Sequence, residues 1–230
     1  SVTGVQTCAL PIFNMLYMAK AREPFSSFSH FVGAVMFAVA TVLLVGKTLV
    51  TDAWNIKILI GVAVFGLSLV ALYSASAIYH FSNGSAKKIL RLRKLDHSMI
   101  YVLIAGSYTP ILLKYLPQHE SLVFVSVIWA CAVVGTIIKL CWFSAPRWLQ
   151  TMLYIAMGWA VLFDVSVFRD MSGIAVFLLA AGGISYTVGG IIYIVKKPNI
   201  SKEFGFHELF HLFILLGSIF HYLMVLFYVA

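Results

Sequence analysis

His207-Glu208-Leu209-Phe210-His211 sets two imidazoles four residues apart, a spacing that puts both on one helical face within reach of one metal ion. Two other stretches carry matching chemistry, Ser76 with His80 and Asp96 with His97. A third imidazole, His80, and a carboxylate at the same depth would complete a site of the kind zinc favours. Ser76 lies one turn from His80 on the same face, so its hydroxyl either addresses the metal, its water or a substrate carbonyl, or makes a hydrogen bond between helices. Asp96 holds a metal-bound water, orients a ligand imidazole, or complements a helix N-terminus. In soluble zinc peptidases the glutamate of such a motif is the general base. Glu208 is therefore an alternative base, although it projects about 100° from the His207 direction and suits a solvated surface equally well.

The other ionisable residues rank behind these. His30 follows Glu23 by seven residues, about two helical turns, so the two share a face and either support the ligands or serve in capping and packing. His97 points away from the Asp96 face and reads as an interfacial residue beside the site. His221, ten residues beyond His211, is about 15 Å deeper and reads as a hydrogen-bonded core histidine. Asp164 is expected to snorkel or to pair with Arg169. His119 falls in a short loop and receives no role.

The elements that must position these residues are set by composition. Hydrophobic residues make up 62% of the chain and charged residues 10%, far from a soluble balance. Apolar runs of about 20 residues match the thickness of a bilayer, and they do not alternate as barrel strands would. The expected fold is an all-α integral membrane protein, a seven-transmembrane helix bundle forming a single domain over residues 13–230. The spans are expected at 28–46, 56–81, 96–115, 121–141, 147–168, 173–195 and 206–229. Pro110 is expected to bend the third span, and Gly182-Gly183 with Gly189-Gly190 to allow close contacts of the sixth. Ser1–Ile12 resembles the translation of a sequencing adapter, is expected to be non-native and is set aside together with Cys8. Cys131 and Cys141 lie ten residues apart, too far along a helix to bridge.

Charge orients the bundle. Lys20, Arg22, Lys87, Lys88, Arg91, Arg93, Lys94, Lys139, Arg147, Lys196, Lys197 and Lys202 flank one set of span ends, while Lys47, Lys57, Lys114 and Arg169 flank the other. Twelve against four predicts a cytoplasmic N-terminus and an extracytoplasmic C-terminus in the cell membrane. The net charge of +8 is then a topology signal and a contact with anionic lipid; nucleic acid is not an expected partner. On this map His30, His80, His97, His207 and His211 all meet the membrane at its cytoplasmic side, close to Ser76 and Asp96.

Four motifs carry a family resemblance: Glu23-Pro24-Phe25-Ser26-Ser27-Phe28-Ser29-His30; Ser76-x-x-x-His80; Leu95-Asp96-His97-Ser98 running to Gly106-Ser107-Tyr108-Thr109-Pro110; and His207-x-x-x-His211. In this order they resemble the bacterial hemolysin III family, the prokaryotic branch of the progestin and adiponectin receptor superfamily, itself similar to alkaline ceramidases. The resemblance covers Ala21 to Ala230, with Ser26 standing where the family usually has Asn. It implies a seven-helix bundle with Zn2+ near the cytoplasmic leaflet, held by His80, His207 and His211 with Asp96 and Ser76 beside it.

The expected activity is a zinc-dependent, ceramidase-like hydrolysis of a lipid amide or ester, with membrane lipids as partners and Asp96 and Ser76 as catalytic residues. Three histidines leave a fourth position open, as in catalytic zinc sites. The alternatives are a membrane sensor or regulator of lipid homeostasis with structural zinc closed by Asp96, a haemolysin-like pore, and an intramembrane metalloprotease working through Glu208.

Overall fold

A bilayer offers no water to unpaired backbone groups, so each apolar run closes its own hydrogen bonds as a helix. The structure, a computed structural model, describes residues 20–51, 55–201 and 204–230; Ser1–Ile12, Cys8 and Lys202 lie outside the described residues. Among the described residues there are seven α-helices: α1 Pro24–Thr51, α2 Ile56–Phe81, α3 Ala86–Tyr115, α4 Gln118–Cys141, α5 Arg147–Gly158, α6 Gly173–Val195 and α7 Phe206–Tyr228. Five of them, α1, α2, α4, α6 and α7, are long and apolar enough to cross a membrane. The outer faces carry bare aliphatic side chains such as Val35, Val42 and Leu67, as lipid contact requires. This is an all-helical integral membrane protein.

The two remaining helices depart from the expected spans. α3 begins at Ala86, well before the apolar stretch expected at 96–115. The Ser85 hydroxyl accepts the Lys88 N–H at 3.3 Å, and the residues that follow, rich in Lys, Arg and Leu, favour helix. The helix therefore extends beyond the apolar part as a basic rod, and it runs on through Pro110. The fifth element corrects the expected continuous span at 147–168. α5 ends at Gly158 and the chain continues as two short 3-10 turns, Ala160–Phe163 and Val165–Phe168.

Tyr108 of α3 explains how that break survives. Its hydroxyl donates to the Gly158 carbonyl at 2.7 Å and accepts the Val161 N–H at 2.9 Å. Freed backbone groups at membrane depth are tolerated only where protein satisfies them. Trp159 adds a bond from its indole N–H to Thr187 Oγ1 at 2.9 Å. Asp164 does not pair with Arg169. Its Oδ1 accepts the Ser166 N–H and O–H at 3.1 and 2.6 Å, capping the second turn.

Small residues bring the helices together, because lipid tails are as apolar as Leu and close packing must supply the attraction. A Cβ on Gly189 would lie 3.0 Å from Phe213 of α7, and one on Gly190 would lie 3.0 Å from Ile155 of α5. The glycine pair thus lets α6 touch neighbours on two sides at once.

One end of the bundle collects the polar chemistry. The N–H groups of Arg22 and Glu23 donate to the carbonyls of Phe81 and His80 at 3.3 and 3.0 Å, tying the start of α1 to the end of α2. Lys94 of α3 donates to the Leu140 carbonyl of α4 at 2.7 Å. At the opposite end Lys47 of α1 donates to the Leu226 carbonyl, and to that of Ala230 at 2.8 Å, closing α1 against α7.

Candidate metal centre

His80 sits in the last turn of α2, and His207 and His211 occupy the first two turns of α7. One nitrogen from each lies within 4.8 Å of the other two. Nitrogens bound at 2.0–2.1 Å in a tetrahedral site lie about 3.3 Å apart, so modest ring rotations would close the trio on one ion. The ring centres are 5.1 Å apart for His80–His207, 4.8 Å for His80–His211 and 4.7 Å for His207–His211. His80 and His211 are buried and His207 is half-buried.

The surroundings assign the nitrogens. The Glu23 carboxylate accepts from Nδ1 of His80, which leaves Nε2 as the nitrogen for a ligand. Glu23 is also paired with Arg22 at 3.2 Å. Burial pushes its carboxyl up, but the His80 imidazole and the Arg22 guanidinium outweigh this and hold it below the usual carboxylate range. Nδ1 of His211 is buried with no hydrogen-bond partner among the described residues, a costly state unless a metal takes its lone pair. Three imidazoles, one braced by a carboxylate and one with an orphaned nitrogen, fit a zinc ion.

His30 stands behind the trio. Its ring stacks on His211 at 3.8 Å and 24° and meets the edge of Tyr73 at 4.8 Å. Both its nitrogens are buried without hydrogen-bond partners among the described residues. Glu23, just before the first residue of α1, hydrogen-bonds His80, and His30 within α1 stacks on His211.

Asp96 faces the trio from α3 but is not one of the converging groups. Its carboxylate lies near the Ser76 side chain, and both residues line the same cavity as His207 and His211. His97 lines the same cavity, with Nε2 4.0 Å from the Asp96 carboxylate and its ring 5.9 Å from Phe143. Glu208 is occupied elsewhere. Its Oε2 accepts the Gly205 N–H at 2.9 Å, and its Oε1 accepts the Ser26 hydroxyl at 3.2 Å. It caps α7 and fastens α1 to it, so both oxygens that a protease-like base would need already have partners.

Sequence spacing did not reveal the cavity. Its volume is about 360 Å³, and it runs from Ser76, Asp96, His207 and His211 to His221. Between these ends the walls are apolar, with Leu72, Ile104 and Leu179 among them. At the deep end His221 hydrogen-bonds the Leu179 carbonyl at 3.2 Å, the core role expected of it. Tyr154 and Tyr193 also line the cavity and were missed, since an aromatic in a hydrophobic run carries no signal of its own.

The sequence model of the family described as Haemolysin-III related matches residues 18–222, a stretch that includes all of these residues. The chain belongs to this family. A hemolysin-3 homolog of Bacillus subtilis (strain 168) is 34% identical over 210 residues, covering 90% of this chain and 94% of that protein. Hemolysin-3 of Bacillus cereus is 32% identical over 212 residues, covering 90% and 92%. An adiponectin receptor protein of Drosophila melanogaster is 23% identical over 235 residues, covering 93% of this chain and 52% of that one. The haemolysin-III-related family is thereby joined to the progestin and adiponectin receptor superfamily, as the four motifs imply. Within the matched stretch, the Ser26 hydroxyl donates to Glu208 at 3.2 Å.

Proposed function

We propose that this protein is a seven-span membrane hydrolase that holds one zinc ion on His80, His207 and His211 and cleaves a lipid amide or ester. The observation that carries the reading is the convergence of three imidazoles, two of which, His207 and His211, line one apolar cavity together with Asp96 and Ser76. A purely structural zinc needs a fourth protein ligand, and Asp96 lies outside the converging trio. The arrangement therefore favours an open position over the sensor alternative. The two elements beyond the five apolar helices complete the seven spans. α3 packs between α2 and α4, and α5 packs on α6, so protein shields their polar groups from lipid.

A zinc ion at this site would supply a Lewis acid and a water of lowered pKa. Asp96 takes the proton from the attacking water and returns it to the leaving nitrogen or oxygen. The Ser76 hydroxyl shares its proton between Asp96 and the substrate carbonyl oxygen, steadying charge as it develops there. Glu23 holds the His80 ring in its ligating tautomer. The cavity takes the acyl chain and keeps bulk water away from the reacting carbonyl.

Purified protein is expected to contain about one zinc per chain and to release free fatty acid from a long-chain N-acyl amide in micelles. Chelation should abolish the release, and added zinc should restore it. Release that persists in chelated, metal-free protein would refute the reading.

The basic end supports an orientation with the site facing the cytoplasm, since Lys87, Lys88, Arg91, Arg93 and Lys94 precede the apolar part of α3 and basic flanks favour that side. Reporters fused after Lys88 and after Ala230 should fall on opposite sides of the membrane, with Lys88 inside. Both on one side would mean an even number of crossings between them and would exclude seven spans.

A further inference from the structure

Two guanidiniums converge on one ring at the rim of the cavity. Arg147, the first residue of α5, has its Cζ 5.0 Å from the centre of the Tyr193 ring and 5.8 Å from that of Phe206. Arg93 of α3 lies within electrostatic reach of the Tyr193 side chain and rests 5.2 Å from the Phe143 ring. Tyr193 itself lines the cavity, with its ring 5.9 Å from that of His207. A single aromatic side chain thus separates the two arginines from the histidine trio.

Neither arginine forms an ion pair among the described residues. The neighbouring carboxylates face other partners: Glu23 meets Arg22 and His80, Glu208 meets Gly205 and Ser26, and Asp96 lies 4.0 Å from His97. Lys139 adds positive charge beside them, 4.5 Å from the Phe143 ring, with its amine bonded to Gln150. Aromatic faces hold these cations in place without neutralising them. A planar guanidinium is suited to paired hydrogen bonds with phosphate or carboxylate, and two of them at one rim leave that demand open.

We propose that Arg93 and Arg147 form an anion clamp for the headgroup of the lipid whose chain enters the cavity. The substrate class is then an acyl lipid with a phosphate or carboxylate close to its scissile bond, in preference to a neutral amide. This rests on the hydrolase reading for the word substrate, but the clamp itself is a binding site. Tyr193 sets the distance: an anion held by both arginines has its carbonyl one ring away, beside His207.

Binding and turnover separate the two ideas. Full-length protein in nanodiscs of phosphatidylcholine is titrated with spin-labelled phosphatidic acid, and with spin-labelled phosphatidylcholine as reference. Wild type should prefer the anionic label, and Arg93→Gln or Arg147→Gln should each cut that preference about tenfold. Arg147→Lys should recover part of it, and Lys57→Gln at the other end of the bundle should change nothing. An unaltered preference in the double Gln variant, with zinc content intact, would overturn the clamp. If the variants do not fold, competition on wild type decides. A single-chain acyl phosphate should displace the label, whereas inorganic phosphate alone should not; displacement by inorganic phosphate at equal concentration would overturn the lipid assignment. In turnover, an N-acyl amino acid with a free carboxylate should exceed its methyl ester in kcat/KM by about tenfold. Arginine-dependent binding without turnover of either substrate leaves the clamp standing and removes the hydrolase. Equal turnover of both substrates, together with no label preference, removes the clamp alone.

Discussion

His211→Ala is expected to empty the metal centre, taking purified protein from about one zinc per chain to background. The imidazole is buried, its Nδ1 has no hydrogen-bond partner among the described residues, and its ring lies between His30 and the other two imidazoles of the trio. Because metal binding is linked to folding, the thermal midpoint should fall with the metal. His207→Ala should give the same result. His80→Ala should come close, since it also leaves Glu23 without the imidazole that holds it. His221→Ala, deep in α7, and His119→Ala, in the first turn of α4 and not in the expected loop, should keep their zinc. Elemental analysis of the purified variants checks this, and full occupancy in the His80 and His211 variants would sink the site.

Asp96→Asn separates a catalytic from a structural zinc. Asparagine keeps the size of the side chain but cannot take a proton, so the variant should retain its metal while losing at least about a hundredfold in turnover of a lipid amide. If Asp96 instead closes the coordination sphere, the same change should remove zinc and lower the thermal midpoint together. Glu208→Gln is the companion variant. Its carboxyl caps α7 and holds Ser26, and glutamine keeps one acceptor oxygen, so activity should change little and stability should fall by about 1 kcal/mol. Metal content, melting temperature and turnover measured on both variants give the answer. Loss of activity only in Glu208→Gln would restore the protease-like reading.

Several features were legible in the chain because they are local. The HxxxH spacing in α7 needs only the geometry of one helix to bring two imidazoles together. Ser76 and His80 share a face for the same reason. The apolar runs and the basic ends announce a membrane protein and collect the histidines at one level before any contact is known. The fifth span was misread for an equally physical reason. Its hydropathy continues to Phe168, but the helix stops at Gly158 because a tyrosine fifty residues earlier offers its hydroxyl to the freed backbone. Hydropathy records what each residue prefers as solvent and says nothing of a partner arriving from another helix.

By itself, then, the sequence determined the helical membrane class, the polar end of the bundle and the family, since each depends on composition, short spacing or motif order. Only the tertiary structure decided what Glu208 does. The motif offered it as a base, and the packing of α1 on α7 made it a cap. Packing also chose which carboxylate faces the imidazoles, and it alone opened the cavity from Asp96 to His221 and set Arg93 and Arg147 around Tyr193. These are relations between helices, set by how ridges and small residues fit across interfaces. No spacing along a single chain segment encodes them.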